Sequence, residues 1–522
     1  MNDYLETDVL ILGSGIAGGT AALQLADAGV SVTVVTRAPN PTESNTCYAQ
    51  GGIIYQGDDD SVNLLAEDLI RAGAGHSNRA AVAILAEEGP ELVQRFLMER
   101  LGVPFDRNQN GELQVIREAA HATPRILHSA DTTGRAISEA LITALQNHPQ
   151  IRLLTEYTAV DLLTPSHHSR DRSAVYDPLS CVGAYLLDQN TGEVLPCLAK
   201  KTILATGGLG QIYLRTTNPA GARGDGLAMA YRAGARAINC EFVQFHPTTF
   251  HQDNAPAFLI SEAVRGAGAR LVNLNRQTFM EKYDPEWGDL APRDVVARSI
   301  HQEMIRLDVS HVYLDLASSL SAAKIRHEFP NIYAQCLSYG VDITRDLVPV
   351  VPGAHYFCGG VWVDGWGRTT LAHLYAAGEV ACTGLHGANR LGSASLLEGL
   401  VWGDRAARDI IPQLAQQQRP LTTDIPPWKN TGCEVADPVL ISQDMRSIKY
   451  LMWNYVGLVR TNDRLRRAIR ELRHLQLEIE EFYRTTQLTD GLIGLRNAIE
   501  AAILVTRAAW ANKTSMGCHY RE

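Results

Sequence analysis

The stretch Thr7-Asp8-Val9-Leu10-Ile11-Leu12-Gly13-Ser14-Gly15-Ile16-Ala17-Gly18-Gly19 decides the fold. Its apolar, partly β-branched start reads as a short buried strand. The small and apolar residues Ala21, Ala22, Leu23 and Leu25 read as a helix that Gly29 ends, and Ser31–Thr36 reads as a second strand. Gly13 suits a sharp turn, Gly15 a close approach of backbone to a pyrophosphate, and Gly18 a tight contact between helix and strand. The helix N-terminus then points free N–H groups at the phosphates. A bound dinucleotide follows. NAD and FAD both use such a turn, and an acidic residue at the end of the second strand usually marks NAD. Thr36-Arg37 stands there instead, which weakens a generic NAD reading.

Further strands are predicted at Ile151–Thr155, Cys181–Leu187, Lys201–Ala205 and Leu374–Ala377, as if the chain keeps returning to one open α/β sheet. Between them, the stretch from Glu241 to Pro352 reads as an insertion, with predicted helices over Asp294–Leu307 and Ala322–Tyr339. Beyond Pro426-Pro427 the apolar spacing predicts three amphipathic helices, Asp444–Val456, Asp463–Leu475 and Gly491–Trp510, which suit a small bundle. The expected organisation is a dinucleotide-binding domain in two parts, residues 1–240 and 353–415, an inserted α+β domain at 241–352, and a helical domain at 430–522. Arg464, Arg466, Arg467, Arg470 and Arg473 read as a solvated helix face balanced by Glu471, Glu478, Glu480 and Glu481.

The 522 residues carry a formal net charge of −10, so no global field recruits nucleic acid or an anionic membrane. An anionic substrate would need a local cluster of positive charge. The nine cysteines include no C-x-x-C pair, which suggests a reducing compartment and no zinc or iron–sulfur site. The acidic N-terminus lacks the basic region of a signal peptide, and no apolar run reaches membrane-spanning length. A cytoplasmic chain is expected.

Several further motifs carry a resemblance. They are Ala49-Gln50-Gly51-Gly52-Ile53, Ala205-Thr206-Gly207-Gly208, Asp225-Gly226, Glu241-Phe242-Val243-Gln244-Phe245-His246-Pro247-Thr248, Pro292-Arg293-Asp294, His355-Tyr356-Phe357-Cys358-Gly359-Gly360-Val361, Ala377-Gly378-Glu379 and Gly384-Leu385-His386-Gly387-Ala388-Asn389-Arg390 with Ser395-Leu396-Leu397-Glu398. Across nearly its whole length the chain resembles the succinate dehydrogenase/fumarate reductase flavoproteins and, within them, the L-aspartate oxidase branch. The resemblance implies a Rossmann-like FAD-binding domain, a capping domain inserted in it, and a C-terminal helical bundle.

By that resemblance Ser14, Gly15, Ala17 and Gly18 hold the FAD pyrophosphate, and Arg37 lies along the adenosine end. Asn45, Thr46, Ala49, Gln50, Gly51 and Gly52 lie near the isoalloxazine and ribityl chain. Asp225 and Glu379 bind FAD hydroxyls, Ser395 and Leu396 offer backbone groups to the ring, and Val160 belongs to the same cofactor set. Membrane-bound relatives attach FAD through a histidine where this chain has Asn45, so the flavin is expected to be non-covalent. His246, Arg293, His355 and Arg390 are implied to converge on a C4 dicarboxylate, joined by Gln244 and Ser261. An arginine fork and imidazole donors suit two carboxylates, at about 1.5–3 kcal/mol per charge-assisted bond. Arg293 is the implied proton-transferring residue. With a reference pKa of about 12.5 or above, it needs perturbation or a relay for that role, and otherwise serves as a carboxylate clamp.

Glu118 selects among family members: a carboxylate there suits a substrate ammonium, whereas dehydrogenases and fumarate reductases have an apolar residue. Glu118 is followed by Ala119-Ala120 where relatives have two glycines, and Arg223 stands where a threonine is usual. The implied reaction oxidises L-aspartate to iminoaspartate, with O₂ (giving H₂O₂) or fumarate as final acceptor. The implied role is the first step of de novo NAD synthesis, with the product passed to quinolinate synthase. The alternatives are a soluble fumarate reductase or succinate dehydrogenase flavoprotein, against which Glu118 and Asn45 argue, and a flavin-bound scaffold or RNA-binding module without turnover, against which the acidic balance and the intact Arg293/Arg390 pair argue.

Overall fold

The computed structural model describes residues 4–118, 120–252, 255, 257–417 and 422–522. The chain opens with β1 (Leu5–Leu12), α1 (Ile16–Asp27) and β2 (Val32–Val35). Later segments add β3 (Ile151–Leu154), β4 (Tyr157–Leu162), β5 (Gly183–Asp188) and β6 (Val194–Leu204) to a seven-stranded sheet in the order β3-β2-β1-β6-β5-β4. Of the parallel strands, in spatial order β3, β2, β1 and β6, all but the half-buried edge strand β3 are largely buried and rich in Val, Ile and Leu, as a sheet covered on both faces requires. β4 and β5 join it antiparallel.

After α2 (Asp225–Arg232) the chain leaves this sheet and builds a second, four-stranded one from β7 (Val243–Phe250), β8 (Arg270–Val272), β9 (Val312–Asp315) and β10 (Val348–Phe357). Its order is β7-β10-β9-β8, all antiparallel. This unit has an apolar core of its own, including Phe250, Leu271, Met280, Val296, Ile300 and Leu314. It contains the short α3 (Glu262–Gly266), α4 (Arg293–Leu307), α5 (Ala322–Glu328) and α6 (Pro330–Ser338).

The one helix expected over Ala322–Tyr339 is thus two helices. Pro330 disfavours helical backbone in the residue before it, and Phe329 sits at φ −130° and ψ 51°. The new N-terminus of α6 is met from the first unit: Asp131 accepts the backbone N–H groups of Asn331 and Ile332 at 3.0 and 3.2 Å.

Strand β11 (Leu374–Ala376) then returns to the large sheet, parallel to the last three residues of β6. The long α7 (Ala394–Leu414) packs on the sheet, and the C-terminal helices α8 (Pro438–Tyr455), α9 (Asn462–Thr485) and α10 (Asp490–Ala511) follow. Each begins on a side-chain cap, from Asp437, Thr461 and Thr489. α10 is apolar on nearly every face and is buried between its neighbours and the large sheet. No helix among the described residues is long and apolar enough to cross a membrane.

Candidate active site

One cleft runs from the Gly13–Ala17 turn to the edge of the second sheet. At the turn, Gly13 has φ +116°, and a Cβ there would lie 2.1 Å from the Ala205 carbonyl oxygen; a Cβ on Gly18 would lie 2.1 Å from that of Gly13. Only glycine lets strand and helix approach this closely. α1 starts at Gly15 without a side-chain cap, so its first-turn N–H groups face the cleft unpaired except for Ile16, which donates to Thr46 Oγ1 at 3.0 Å. A diphosphate fits this cradle.

Ser14, Gly15, Ala17, Arg37, Asn45, Thr46, Ala49, Gln50, Gly51, Gly52, Asp225, Glu379, Ser395 and Leu396 all line the cleft. Gly18 is packed against the turn behind it. The Val160 side chain points into an apolar cluster with Leu163, Tyr185 and Leu187; here the wall is formed by Tyr157, Thr158 and Ala159. Asn45 Nδ2 donates to Glu379 Oε2 at 2.6 Å, and the Phe357 N–H donates to Oε1 at 2.9 Å. Burial outweighs these bonds and pushes Glu379 up to about 7, so it can either give or take a hydrogen bond at neutral pH.

The other end is built on paired strands. β7 and β10 run antiparallel and bring His246 and His355 together, with ring centroids 5.1 Å apart. Burial, and then the surrounding cations, hold both far below the ordinary histidine range, so both are neutral. The Thr248 N–H donates to His246 Nδ1 at 3.2 Å, which leaves the proton on Nε2. His355 Nδ1 shares a hydrogen with Thr217 Oγ1 at 2.7 Å.

Arg293, the first residue of α4, and Arg390 complete this end with Ser261, Glu118 and Glu262. Gln244 stands behind them. Its Oε1 accepts Arg390 Nε at 3.2 Å and Arg293 Nη1 at 3.5 Å, while its Nε2 donates to the Arg390 carbonyl at 2.8 Å. Gln244 therefore positions both guanidiniums. Burial, and then Arg293, lower Arg390 to about 10, a strain that an arriving anion relieves.

Glu262 and Arg265 carried no expectation. Arg293 Nε donates to Glu262 Oε2, and Arg265, fully buried, lies 3.8 Å from Oε1. Burial raises the Glu262 carboxyl, but Arg293 and Arg265 outweigh it and keep it ionised. A charged chain Arg265–Glu262–Arg293 thus leads to the cleft. Its only sequence signal was the i,i+3 spacing of Glu262 and Arg265 behind Ser261.

Glu118 reaches the same end. Ser393 Oγ donates to its Oε2 at 2.7 Å, and a Cβ on Gly392 would touch both Glu118 Oε2 and Arg293 Nη2, at 2.9 and 3.2 Å. Three guanidiniums against two carboxylates leave one net positive charge, the complement of an amino dicarboxylate. Of the two alanines after Glu118, Ala119 lies outside the described residues and Ala120 has φ +66°, the conformation a glycine would adopt at lower cost.

The chain is similar to known proteins. Residues 8–396 match the model of the FAD binding domain family, and residues 445–522 match that of the fumarate reductase flavoprotein C-terminal family. L-aspartate oxidase 1 of Ralstonia nicotianae is 45% identical over 520 residues, 99% of this chain and 95% of that protein. The chain belongs to the L-aspartate oxidases. The L-aspartate oxidase of Pseudomonas aeruginosa is 42% identical over 100% of this chain and 96% of its own. Among solved structures, E. coli quinol fumarate reductase FrdA superposes with a TM-score of 0.89 at 27% identity, covering 99% of this chain and 91% of that one. As an L-aspartate oxidase the chain is an FAD enzyme, and the cleft with its glycine cradle is where its residues fit that cofactor.

Proposed function

We propose that this chain oxidises L-aspartate to iminoaspartate with non-covalently held FAD. The observation that carries the reading is the Glu118 carboxylate, held by Ser393 beside Arg293 in a cleft otherwise built for two carboxylates. Arg390 and Arg293 take the substrate carboxylates, neutral His246 donates from Nε2, and His355 and Ser261 add hydrogen bonds. Glu118 takes the ammonium, which orients one face of the substrate toward the flavin end of the cleft. A proton lost from substrate leaves through Arg293 to Glu262, and Arg265 keeps that carboxylate ionised between turnovers. The Gly13–Gly18 cradle, Asn45 and Glu379 would hold FAD, which would supply a two-electron hydride acceptor with O₂ (giving H₂O₂) or fumarate (giving succinate) as the final oxidant.

This oxidation would be the first step of de novo NAD synthesis, with the iminoaspartate passing to quinolinate synthase. Anaerobic mixing of the holoenzyme with L-aspartate and, separately, with succinate tests the substrate. Aspartate is expected to bleach the flavin absorbance. Bleaching by succinate alone would make the chain a succinate dehydrogenase or fumarate reductase flavoprotein.

A further inference from the structure

Asp490, the first residue of α10, has a role that neither the cofactor turn nor the catalytic cluster explains. Its carboxylate accepts hydrogen bonds from Arg37 Nη1 at 3.0 Å, from Arg223 Nη1 and Nη2 at 3.1 Å each, and from Thr158 Oγ1 at 2.9 Å. The same Arg223 donates from Nη2 to Asp225 Oδ2 at 3.0 Å, and Asn497, further along α10, donates to Asp225 Oδ1 at 2.9 Å.

Arg37 and Asp225 line the cleft, Arg37 directly after β2 and beside the Gly13–Ala17 turn. Arg223, the departure from the family pattern, is only 7% exposed in its side chain and would be costly to bury without its two carboxylates. α10 accommodates it: a Cβ on Gly494 would lie 2.2 Å from Arg223 Nη1. A glycine inside a buried helix and a guanidinium passing over it form one fitted contact.

We propose that the C-terminal helical domain is a structural part of the cofactor site. Asp490, Arg223 and Asn497 hold Arg37 and Asp225 where these two meet the adenosine half of FAD, so docking of α10 and binding of FAD stabilise each other. The inference rests on the assignment of the Arg37 end of the cleft to adenosine. It adds three positioning residues, Asp490, Arg223 and Asn497, which act through Arg37 and Asp225. Coupling of this kind is reciprocal: whatever FAD gains from a docked α10, α10 gains from FAD.

The test uses full-length apoprotein titrated with FAD and with FMN, followed by flavin fluorescence, together with hydrogen exchange of α10 with and without FAD. Asp490→Asn is expected to raise the Kd for FAD by at least about tenfold and to leave FMN binding unchanged. Asn497→Ala, which removes no charge, is expected to weaken FAD in the same direction by less. In the unaltered chain, FAD is expected to slow exchange throughout α10, a readout that survives if either variant fails to fold. Unchanged FAD affinity in both variants, or exchange in α10 indifferent to FAD, overturns the coupling. Equal weakening of FMN overturns the adenosine assignment. No measurement contains aspartate, so failure of the substrate reading would leave these results as they are.

Discussion

Replacing Glu118 by glutamine removes one charge and almost no volume. The amide still accepts from Ser393 Oγ and still fits between Gly51 and Gly392, whose Cβ positions would lie 2.8 and 2.9 Å from the carboxylate oxygens. The loss is therefore confined to the charge-assisted bond to the substrate ammonium, about 1.5–3 kcal/mol. That converts to a fall of about 10- to 150-fold in kcat/KM for L-aspartate. Fumarate and succinate have no ammonium, and for them the variant removes a repelling anion from a cleft that also holds Arg293 and Arg390. Their affinity is expected to hold or rise. Steady-state kinetics with L-aspartate, and succinate titrations followed by the flavin spectrum, give both numbers. Parallel losses for aspartate and succinate would refute the ammonium role and reduce Glu118 to a structural contact of Ser393.

His519 sits under Arg460, whose Nη1 donates to its Nδ1 at 2.7 Å; burial, and then that guanidinium, lower it to about 4. The unfolded chain takes up this proton near the ordinary value of about 6.5, so the contribution to stability is complete above that pH and is lost as pH falls toward 4. It amounts to up to about 3 kcal/mol. Denaturant midpoints across this range should fall less steeply for His519→Gln, and an equally steep acid limb would count against the linkage. Gly18→Ala would drive a methyl group into the Gly13 carbonyl, a contact costing about 1–3 kcal/mol, and should yield protein with a depleted flavin-to-protein absorbance ratio. With Asn45 in place of the attachment histidine, acid precipitation should release all flavin to the supernatant; flavin fluorescence on the denatured polypeptide would show a covalent bond.

The large sheet was legible because its parallel strands are short apolar runs separated by glycine turns, and because Gly13, Gly15 and Gly18 leave few backbone paths. The four-stranded sheet was not. β8 and β9 have three and four residues, too few to show a period, and gain their conformation from pairing with distant segments. Pro330 was the available signal that Ala322–Tyr339 breaks in two. Within the site, residues inside dense motifs were readable one by one. Glu262, Thr217 and Ser393 were not, because each acts on a partner far away in sequence, as Ser393 does on Glu118, and Arg265 acts through Glu262. Gln244 was read as a substrate ligand and is found behind the wall, holding two ligands in place. Arg223 had no explanation until α10 placed Asp490 and Gly494 against it, some 270 residues further along the chain.

The pairing of β11 with the end of β6 has a consequence for how the chain is made. Thr202–Leu204 wait for Leu374–Ala376, about 170 residues later, which at ordinary rates of synthesis is a delay of roughly 10–30 s. Throughout that interval the Thr202–Leu204 edge of β6 stands open, and unpaired edges invite association with other chains. The residues translated meanwhile include the four-stranded sheet, which carries its own core. A chain released just before Leu374 would therefore carry all four strands of the second sheet attached to an unfinished first one, and slowing or speeding translation of this segment should alter soluble yield without changing a single amino acid.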